Sequence, residues 1–321
     1  LLGFGLDYLV LAFAPTLAWL FVARVVSGIF GASFTTGFAY IADGSPPEKR
    51  AQNFGLVGAA FGLGFIIGPV TGGLLGEIGP RVPFFVAAAL TFLNMAYGYF
   101  VLPESLPADR RRAFEWKRAN PLGTLVALKR YPRVVGLIGS LVFLYIASHA
   151  VQGTWSYFTI EKFNWSPKDI GLSLGAVGIL SAFVQGFLIR KAIPALGPWR
   201  TLIVGMICNV VGLILFALVQ QQWMLYAFLV PYAFGGLAGP ALQGLLSNGV
   251  PENEQGELQG AMSSMMSATS IVGPPLMTTI FATFTEAGAP VYFPGAPFVA
   301  GALLSATSLV LILGQYRKSK L

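Results

Sequence analysis

Long uncharged apolar segments alternate with short polar loops along almost the whole chain of 321 residues. Ten of these segments approach the length of about 20 residues that a helix needs to cross a hydrocarbon core of about 30 Å. They run over residues 1–14, 17–40, 52–75, 83–102, 134–156, 169–189, 201–219, 223–248, 258–284 and 295–315. The pattern predicts an all-α membrane protein with about ten transmembrane helices.

The first apolar segment is shorter than the others and begins at Leu1 instead of a methionine. Its 14 residues reach only about 21 Å as a helix, which is less than the hydrocarbon thickness. Asp7 in its middle argues against a secretory signal peptide, which has a basic start and a small-residue cleavage site. We therefore expect a fragment whose N-terminal part is cut off.

Composition agrees with a membrane protein. Hydrophobic residues make up 55% of the chain and charged residues 10%, and the mean hydropathy is +0.71, which leaves too few polar side chains to cover a soluble globule. A net charge of +7 is compatible with nucleic-acid binding. However, 16 of the 20 Lys and Arg residues fall on one side of the predicted membrane if the loop 103–133 is cytoplasmic. This positive-inside bias predicts a multi-pass protein with a cytoplasmic C-terminus and no nucleic-acid partner.

Two segments about 204 residues apart have the same pattern of glycines, a Pro-Glu turn and a Gly-Pro pair. The first extends from Gly28 to Pro69 and the second from Gly236 to Pro274. Such a repeat is typical of transporters built from two parallel halves. It predicts an N-terminal bundle over residues 1–102, a basic cytoplasmic linker over 103–133 and a C-terminal bundle over 134–321. Four spans precede the linker and six follow it, so symmetry implies that two helices are missing at the N-terminus.

Asp7 and Arg24 are the two charged residues, among 33 in the chain, that fall well inside predicted spans. An intramembrane charge costs at least about 2.5 kcal/mol and suggests a function. Both residues lie roughly 10 to 13 Å from the same membrane surface on adjacent antiparallel helices, so they could pair. A carboxylate at this depth takes up a proton when desolvation dominates and stays ionised beside a cation. The alternative is a static ion pair that only fixes helix packing.

Glycines recur every four residues in the third span, at Gly64, Gly68, Gly72 and Gly76, with Pro69 among them. This pattern predicts a smooth helix face that another backbone can approach closely, and a proline that permits a bend. Ordinary tight packing of membrane helices would produce the same stripe.

Polar and aromatic side chains within the spans are candidates for lining a substrate cavity, which combines apolar walls with a few polar groups. The candidates are Asn94, His149, Gln152, Trp155, Gln185 and Gln243. A single histidine in a span is more often a packing residue than a proton-binding group. One Cys (Cys208) and one His in the whole chain argue against a disulfide or a metal site, so we predict no metal and no cofactor.

Several motifs resemble the drug and proton antiporters of the major facilitator superfamily, and among them the tetracycline efflux pumps. Residues 20–32, LFVARVVSGIFGA, resemble the fourth-helix motif whose arginine is linked to proton coupling. Residues Gly64, Gly68, Pro69, Gly72 and Gly73 match the fifth-helix antiporter motif GxxxGPxxGG, which is found in exporters. ADGSPPEKRAQNFG, PFFVAA, PALQG and GELQG resemble the tetracycline pumps more narrowly. The resemblance implies a fold of two pseudo-symmetric six-helix bundles, here without helices one and two, in a bacterial inner (plasma) membrane.

The chain departs from the best-known tetracycline pumps at two positions, because Ser181 stands where they have a histidine and Asn209 where they have an aspartate. The resemblance therefore assigns proton coupling here to Asp7, to Arg24 and to the carboxylate that the family carries in the absent first helix. It implies a secondary active transporter that exchanges protons for a drug such as tetracycline or a related amphiphile, with a monomer as the default state.

A metabolite or sugar transporter of the same fold is the alternative, since one fold hosts many substrates. A membrane receptor or scaffold is a third class, and it leaves the intramembrane Asp7 unexplained. An enzyme is not expected, because no nucleophile, base and orienting residue occur together.

Overall fold

The computed structural model describes residues 1–30, 40, 50–103, 132–249, 255–289 and 291–320. Every regular element in these ranges is helical. The α-helices are α1 (Leu2–Phe13), α2 (Leu17–Ile29), α3 (Arg50–Ile78), α4 (Val82–Val101), α5 (Pro132–Phe163), α6 (Pro167–Phe183), α7 (Ile189–Leu196), α8 (Pro198–Leu218), α9 (Gln222–Phe234), α10 (Ala238–Ser247), α11 (Gln255–Thr285) and α12 (Ala296–Lys320). Most of the predicted linker 103–133 and of the segment ADGSPPEKRAQNFG lies outside the described residues.

Within the described ranges, seven helical segments are long and apolar enough to cross a membrane, and three shorter apolar helices accompany them. The shorter ones are Leu2–Phe13, Leu17–Gly28 and Gly62–Ile78. Each of the ten segments expected from hydropathy therefore overlaps a helix among the described residues, and residues 31–39 of the second segment lie outside them. Ten complete membrane crossings stay a prediction.

Two pairs of α-helices join into longer helical segments through a short stretch of different geometry. A π-helical turn at Val184–Leu188 connects α6 to α7, and a 3₁₀ turn at Gly235–Leu237 connects α9 to α10. The two turns contact each other, and Gly236 lies beside the Gln185 side chain. Such turns within a long helix frequently mark functional or bending sites.

Backbone contacts divide the chain into two compact units. The first comprises Leu1–Phe114 and Ser166–Gly175, and the second comprises Glu115–Trp165 and Ala176–Leu321. Helix α6 is therefore shared, with its first nine residues, Pro167–Gly175, in the first unit.

In the first unit, α1 packs against α2 and α4 because its contacting face contains glycine. A Cβ atom on Gly5 would lie only 2.6 Å from Cε1 of Phe92 on α4, so the aromatic ring fits over the bare backbone. The buried positions Gly3 and Asp7 are one helical turn apart on α1. Asp7 is thus placed on the face of α1 that packs against its neighbours.

The second unit has an aliphatic core and an aromatic core. The aliphatic core is formed by side chains of α5, α8, α10, α11 and α12, among which Leu202, Leu242 and Leu258 are fully buried. In the aromatic core, Trp155 makes an edge-to-face contact with Phe216 at 5.1 Å between ring centroids. Phe158 makes the same kind of contact with Phe298 at 4.8 Å between ring centroids. These contacts fix α5 against α8 and α12.

Candidate functional site

An ion pair joins α1 to α2. Nη2 of Arg24 donates a hydrogen bond to Oδ2 of Asp7 at 2.7 Å. The two helices form an antiparallel hairpin around Pro15, since α1 ends at Phe13 and α2 begins at Leu17. The pairing expected from equal depth is therefore observed, whereas its role in proton coupling stays a prediction.

The two members of this pair differ sharply in exposure. The Asp7 side chain is 2% exposed, whereas the Arg24 side chain is 55% exposed. Oδ1 of Asp7 is buried and has no hydrogen-bond partner among the described residues. A buried carboxylate oxygen without a donor is costly, so Asp7 has one stabilised and one unsatisfied oxygen.

The hairpin is tied to the rest of the first unit at its turn. Nη2 of Arg81, at the start of α4, donates to the carbonyl oxygen of Ala14 at 3.2 Å. Phe13 and Phe85 make an edge contact at 5.1 Å close by. The loop between α1 and α2 is therefore attached to the turn between α3 and α4.

The glycines of the predicted antiporter motif differ in their surroundings. Cβ atoms at Gly64, Gly68 and Gly72 would meet no described atom within 4 Å. A Cβ atom at Gly73 would lie 2.9 Å from Cα of Gly171 on α6. The expected close approach of another helix therefore occurs at Gly76, the last glycine of the four-residue stripe, where an added Cβ atom would lie 3.1 Å from Cβ of Pro167, and at Gly73, which lies next to the stripe. Pro69 lies inside α3 and its carbonyl oxygen is directed at Gly171.

The polar cavity candidates fall in both units. Asn94 belongs to the first unit and Gln152, Gln185 and Gln243 to the second, and all four are exposed. An exposed amide within a hydrophobic span is expected to face water or a ligand, because lipid offers it no hydrogen-bond partner. Gln152 donates to the Ser148 hydroxyl at 3.4 Å.

Trp155 and His149 lie in packed surroundings, and a role of either residue in lining a cavity stays a prediction. Trp155 is 2% exposed and belongs to the aromatic core with Phe216 and Phe298. The ring of His149 lies over Gly273 of α11, where an added Cβ atom would be 2.6 Å from Cγ of the histidine. Both placements favour helix packing, because a side chain enclosed by its own unit has little surface left for a substrate.

Asn209 is held by a hydrogen bond that sequence reasoning did not find. The hydroxyl of the fully buried Ser305 on α12 donates to Oδ1 of Asn209 on α8 at 2.8 Å. Gly235 packs against the same asparagine. The amide therefore bonds two helices of the second unit, and Ser181 and Asn209 contribute no titratable group there. Glu77 is a second residue that the sequence did not single out, and its signal there is an acid at the polar end of an apolar helix.

Apolar helices that carry a buried acid beside an arginine are typical of membrane transport proteins. Residues 1–274 match the family model of the Major Facilitator Superfamily. The chain belongs to the Major Facilitator Superfamily.

Its curated relatives include tetracycline resistance proteins. It is 38% identical to the class C protein of Escherichia coli over 286 residues, which cover 88% of this chain and 71% of that protein. It is 31% identical to the class H protein of Pasteurella multocida over 319 residues, which cover 99% of this chain and 78% of that protein. The resemblance inferred from the motifs is therefore confirmed at the level of a tetracycline-efflux-like transporter family.

Solved structures show the same fold. The bacterial homologue of the human lysosomal transporter Spinster, in an inward-facing and occupied conformation, superimposes with a TM-score of 0.74 over 98% of this chain and 80% of that chain. Their sequences are 16% identical, so this likeness concerns the fold alone.

Proposed function

We propose that this protein works as a proton-coupled antiporter that exports tetracycline or a related amphiphile across the bacterial inner membrane by alternating access. The observation that carries the proposal is the buried pair of Asp7 and Arg24, with one oxygen of Asp7 bonded and the other unsatisfied. The similarity to tetracycline resistance proteins over most of the chain supports a drug as the exported substrate.

The pair has the properties of a switch between two charge states. While Arg24 bonds Oδ2, the carboxylate is stabilised in its ionised form. If the guanidinium moves away, Asp7 is a buried and unpaired charge, and binding a proton then costs less free energy than leaving the carboxylate ionised. Arg24 is free to move because its side chain is more than half exposed. Proton binding and departure of Arg24 are thus coupled in this proposal.

Uncharged amides supply the proposed substrate contacts. Gln152, Gln185 and Gln243 in the second unit are exposed polar groups within apolar spans, and Asn94 is one in the first unit. Amides offer both donors and acceptors to an amphiphile without the desolvation cost of a charge. In this proposal the substrate contacts and the proton site are therefore different residues.

The decisive experiment measures drug uptake into inverted membrane vesicles that contain the full-length protein and an imposed proton gradient. Asp7→Asn keeps the size and polarity of the side chain but cannot bind and release a proton, so proton-driven uptake should fall to background. Glu286→Gln is the matched control, because Glu286 is an exposed acid after α11 and should leave uptake unchanged. Undiminished uptake by Asp7→Asn would remove Asp7 from the mechanism.

The same vesicles separate the alternative substrate class. Counterflow of tetracycline, of a second amphiphilic drug and of a sugar is compared at equal protein levels. Drug counterflow without sugar counterflow supports the exporter. Sugar counterflow alone favours a metabolite or sugar transporter of the same fold.

A further inference from the structure

The polar end of α3 caps the beginning of α6 within the first unit. Oε1 of Glu77 accepts a hydrogen bond from the backbone N–H of Lys168 at 3.0 Å, although the two residues are 91 positions apart in the chain. The first N–H groups of a helix have no partner inside the helix and form the positive end of its dipole. A carboxylate from another helix is therefore a favourable partner for this terminus.

Every backbone group of the first turn of α6 is accounted for without a ligand. Pro167 has no N–H to satisfy. The N–H of Asp169 donates to the Ser166 hydroxyl at 3.3 Å, and the N–H of Ser166 donates to Oδ2 of Asp169 at 3.1 Å. This reciprocal cap is local to the helix. The remaining N–H, that of Lys168, donates to Glu77. Glu77 is therefore the residue of the cap that joins α3 to α6.

Below this cap, α3 and α6 touch through backbone atoms. A Cβ atom on Gly73 would lie 2.9 Å from Cα of Gly171, and one on Gly76 would lie 3.1 Å from Cβ of Pro167. Side chains do not interlock at a contact made by glycines, so few atoms have to be rearranged when the helices separate. A contact of this kind is easily broken and re-formed unless a directional bond holds it.

We propose that Glu77 is a latch that holds the start of α6 on α3 in one state of the transport cycle and releases it in another. This inference rests on the alternating-access function proposed above, in which the predicted N-terminal and C-terminal bundles move apart at one membrane face. Helix α3 belongs to the first predicted bundle and α6 to the second, yet Ser166–Gly175 clusters with the first unit. The latch accounts for this: it attaches the beginning of α6 to the other bundle.

The latch uses a charge, and the charge is available at physiological pH. The pKa of Glu77 lies below its usual value, mainly because its carboxylate accepts the hydrogen bond from the Lys168 N–H. A hydrogen bond from Ser166 and the Lys168 ammonium also lower this pKa, whereas the Asp169 carboxylate raises it. Glu77 lies beyond the end of the predicted span 52–75. A lowered pKa means that the contribution to stability is present above the unfolded value and is lost as pH falls through the folded value. The latch should therefore hold from about pH 7 to about pH 5, above the usual carboxyl value of about 4.3.

The test follows the exposure of the α3–α6 contact to water, independently of transport. Val70 packs against Gly175 in this contact, so a Val70→Cys thiol, introduced after Cys208→Ser removes the single native cysteine, reports its opening. Glu77→Ala should raise the rate of labelling by a water-soluble maleimide at least about fivefold, because the closed state loses a charge-assisted hydrogen bond. An unchanged labelling rate overturns the proposal.

Two further variants distinguish the latch from general damage. Glu77→Gln keeps an acceptor oxygen for the Lys168 N–H but loses the charge, so it should label at a rate between those of the parent protein and Glu77→Ala, whereas a requirement for folding alone would not separate alanine from glutamine. Glu286→Ala removes an exposed acid elsewhere and should label like the parent protein. Labelling needs no substrate and no proton gradient, so the two proposals fail separately. An unchanged labelling rate in Glu77→Ala contradicts the latch, whereas continued proton-driven transport by Asp7→Asn contradicts the proposed function.

Discussion

At the residue scale, Asp7 and Arg24 form a pair whose members have unequal freedom. The Asp7 side chain is almost fully buried, while the Arg24 side chain has more than half of its surface exposed. Removal of one partner of a buried ion pair costs roughly 3–5 kcal/mol, because the remaining charge is left without compensation. The exposure of Arg24 reduces this figure here, since solvent screens the exposed partner.

This inequality predicts the outcome of a double-mutant cycle. Arg24→Ala leaves a buried and unpaired carboxylate and should lower the thermal unfolding midpoint in detergent, with a cost on the order of 1–3 kcal/mol. Adding Asp7→Asn to Arg24→Ala should recover part of this loss, because no ionised group is left at the site. Simple addition of the two single-variant losses would mean that the residues do not interact.

At the element scale, the glycine stripe of α3 was predicted, but the point of closest approach was not. The four-residue spacing suggested a smooth face at Gly64, Gly68, Gly72 and Gly76. Of these, Gly76 contacts α6, whereas the tightest approach is at Gly73, against Gly171. Periodicity identifies a face of a helix, but not the point at which another helix crosses it. The Glu77 cap was missed for a related reason: it joins residues far apart in the chain, and nothing in the local pattern links an acid to a distant helix terminus.

The difference between open and contacted glycines of α3 gives a prediction with an internal control. Gly73→Ala should destabilise the protein by about 1–3 kcal/mol, because the atoms facing the new methyl group belong to the backbone of α6 and cannot rotate away. Gly62→Ala, where no described atom lies within 4 Å, should be neutral or slightly stabilising through helix propensity. Thermal unfolding in detergent measures both, and equal effects would argue against a tight α3–α6 crossing.

At the scale of the whole molecule, hydropathy predicted the helices well because each span must bury about 20 apolar residues in a continuous run. The Asp7–Arg24 pair was also predictable, since depth along a helix follows from a fixed rise per residue. Cavity residues were harder to predict: Trp155 and Gln152 are one helical turn apart on α5, yet one is buried and the other exposed. Composition alone does not say which face of such a helix meets its neighbours.

The orientation of the whole chain is the remaining prediction, and it depends on where the basic residues lie. The positive-inside bias puts the C-terminal end of α12 in the cytoplasm, and since α12 is long enough to span, the loop after α11 should be on the opposite side. In a Cys208→Ser background, Lys318→Cys should therefore react with a membrane-impermeant maleimide only in inverted vesicles. Glu286→Cys should react only in intact cells. Both positions are exposed, so lack of reaction on one side reports sidedness and not burial. The opposite pattern would contradict the cytoplasmic C-terminus that the positive-inside bias predicts.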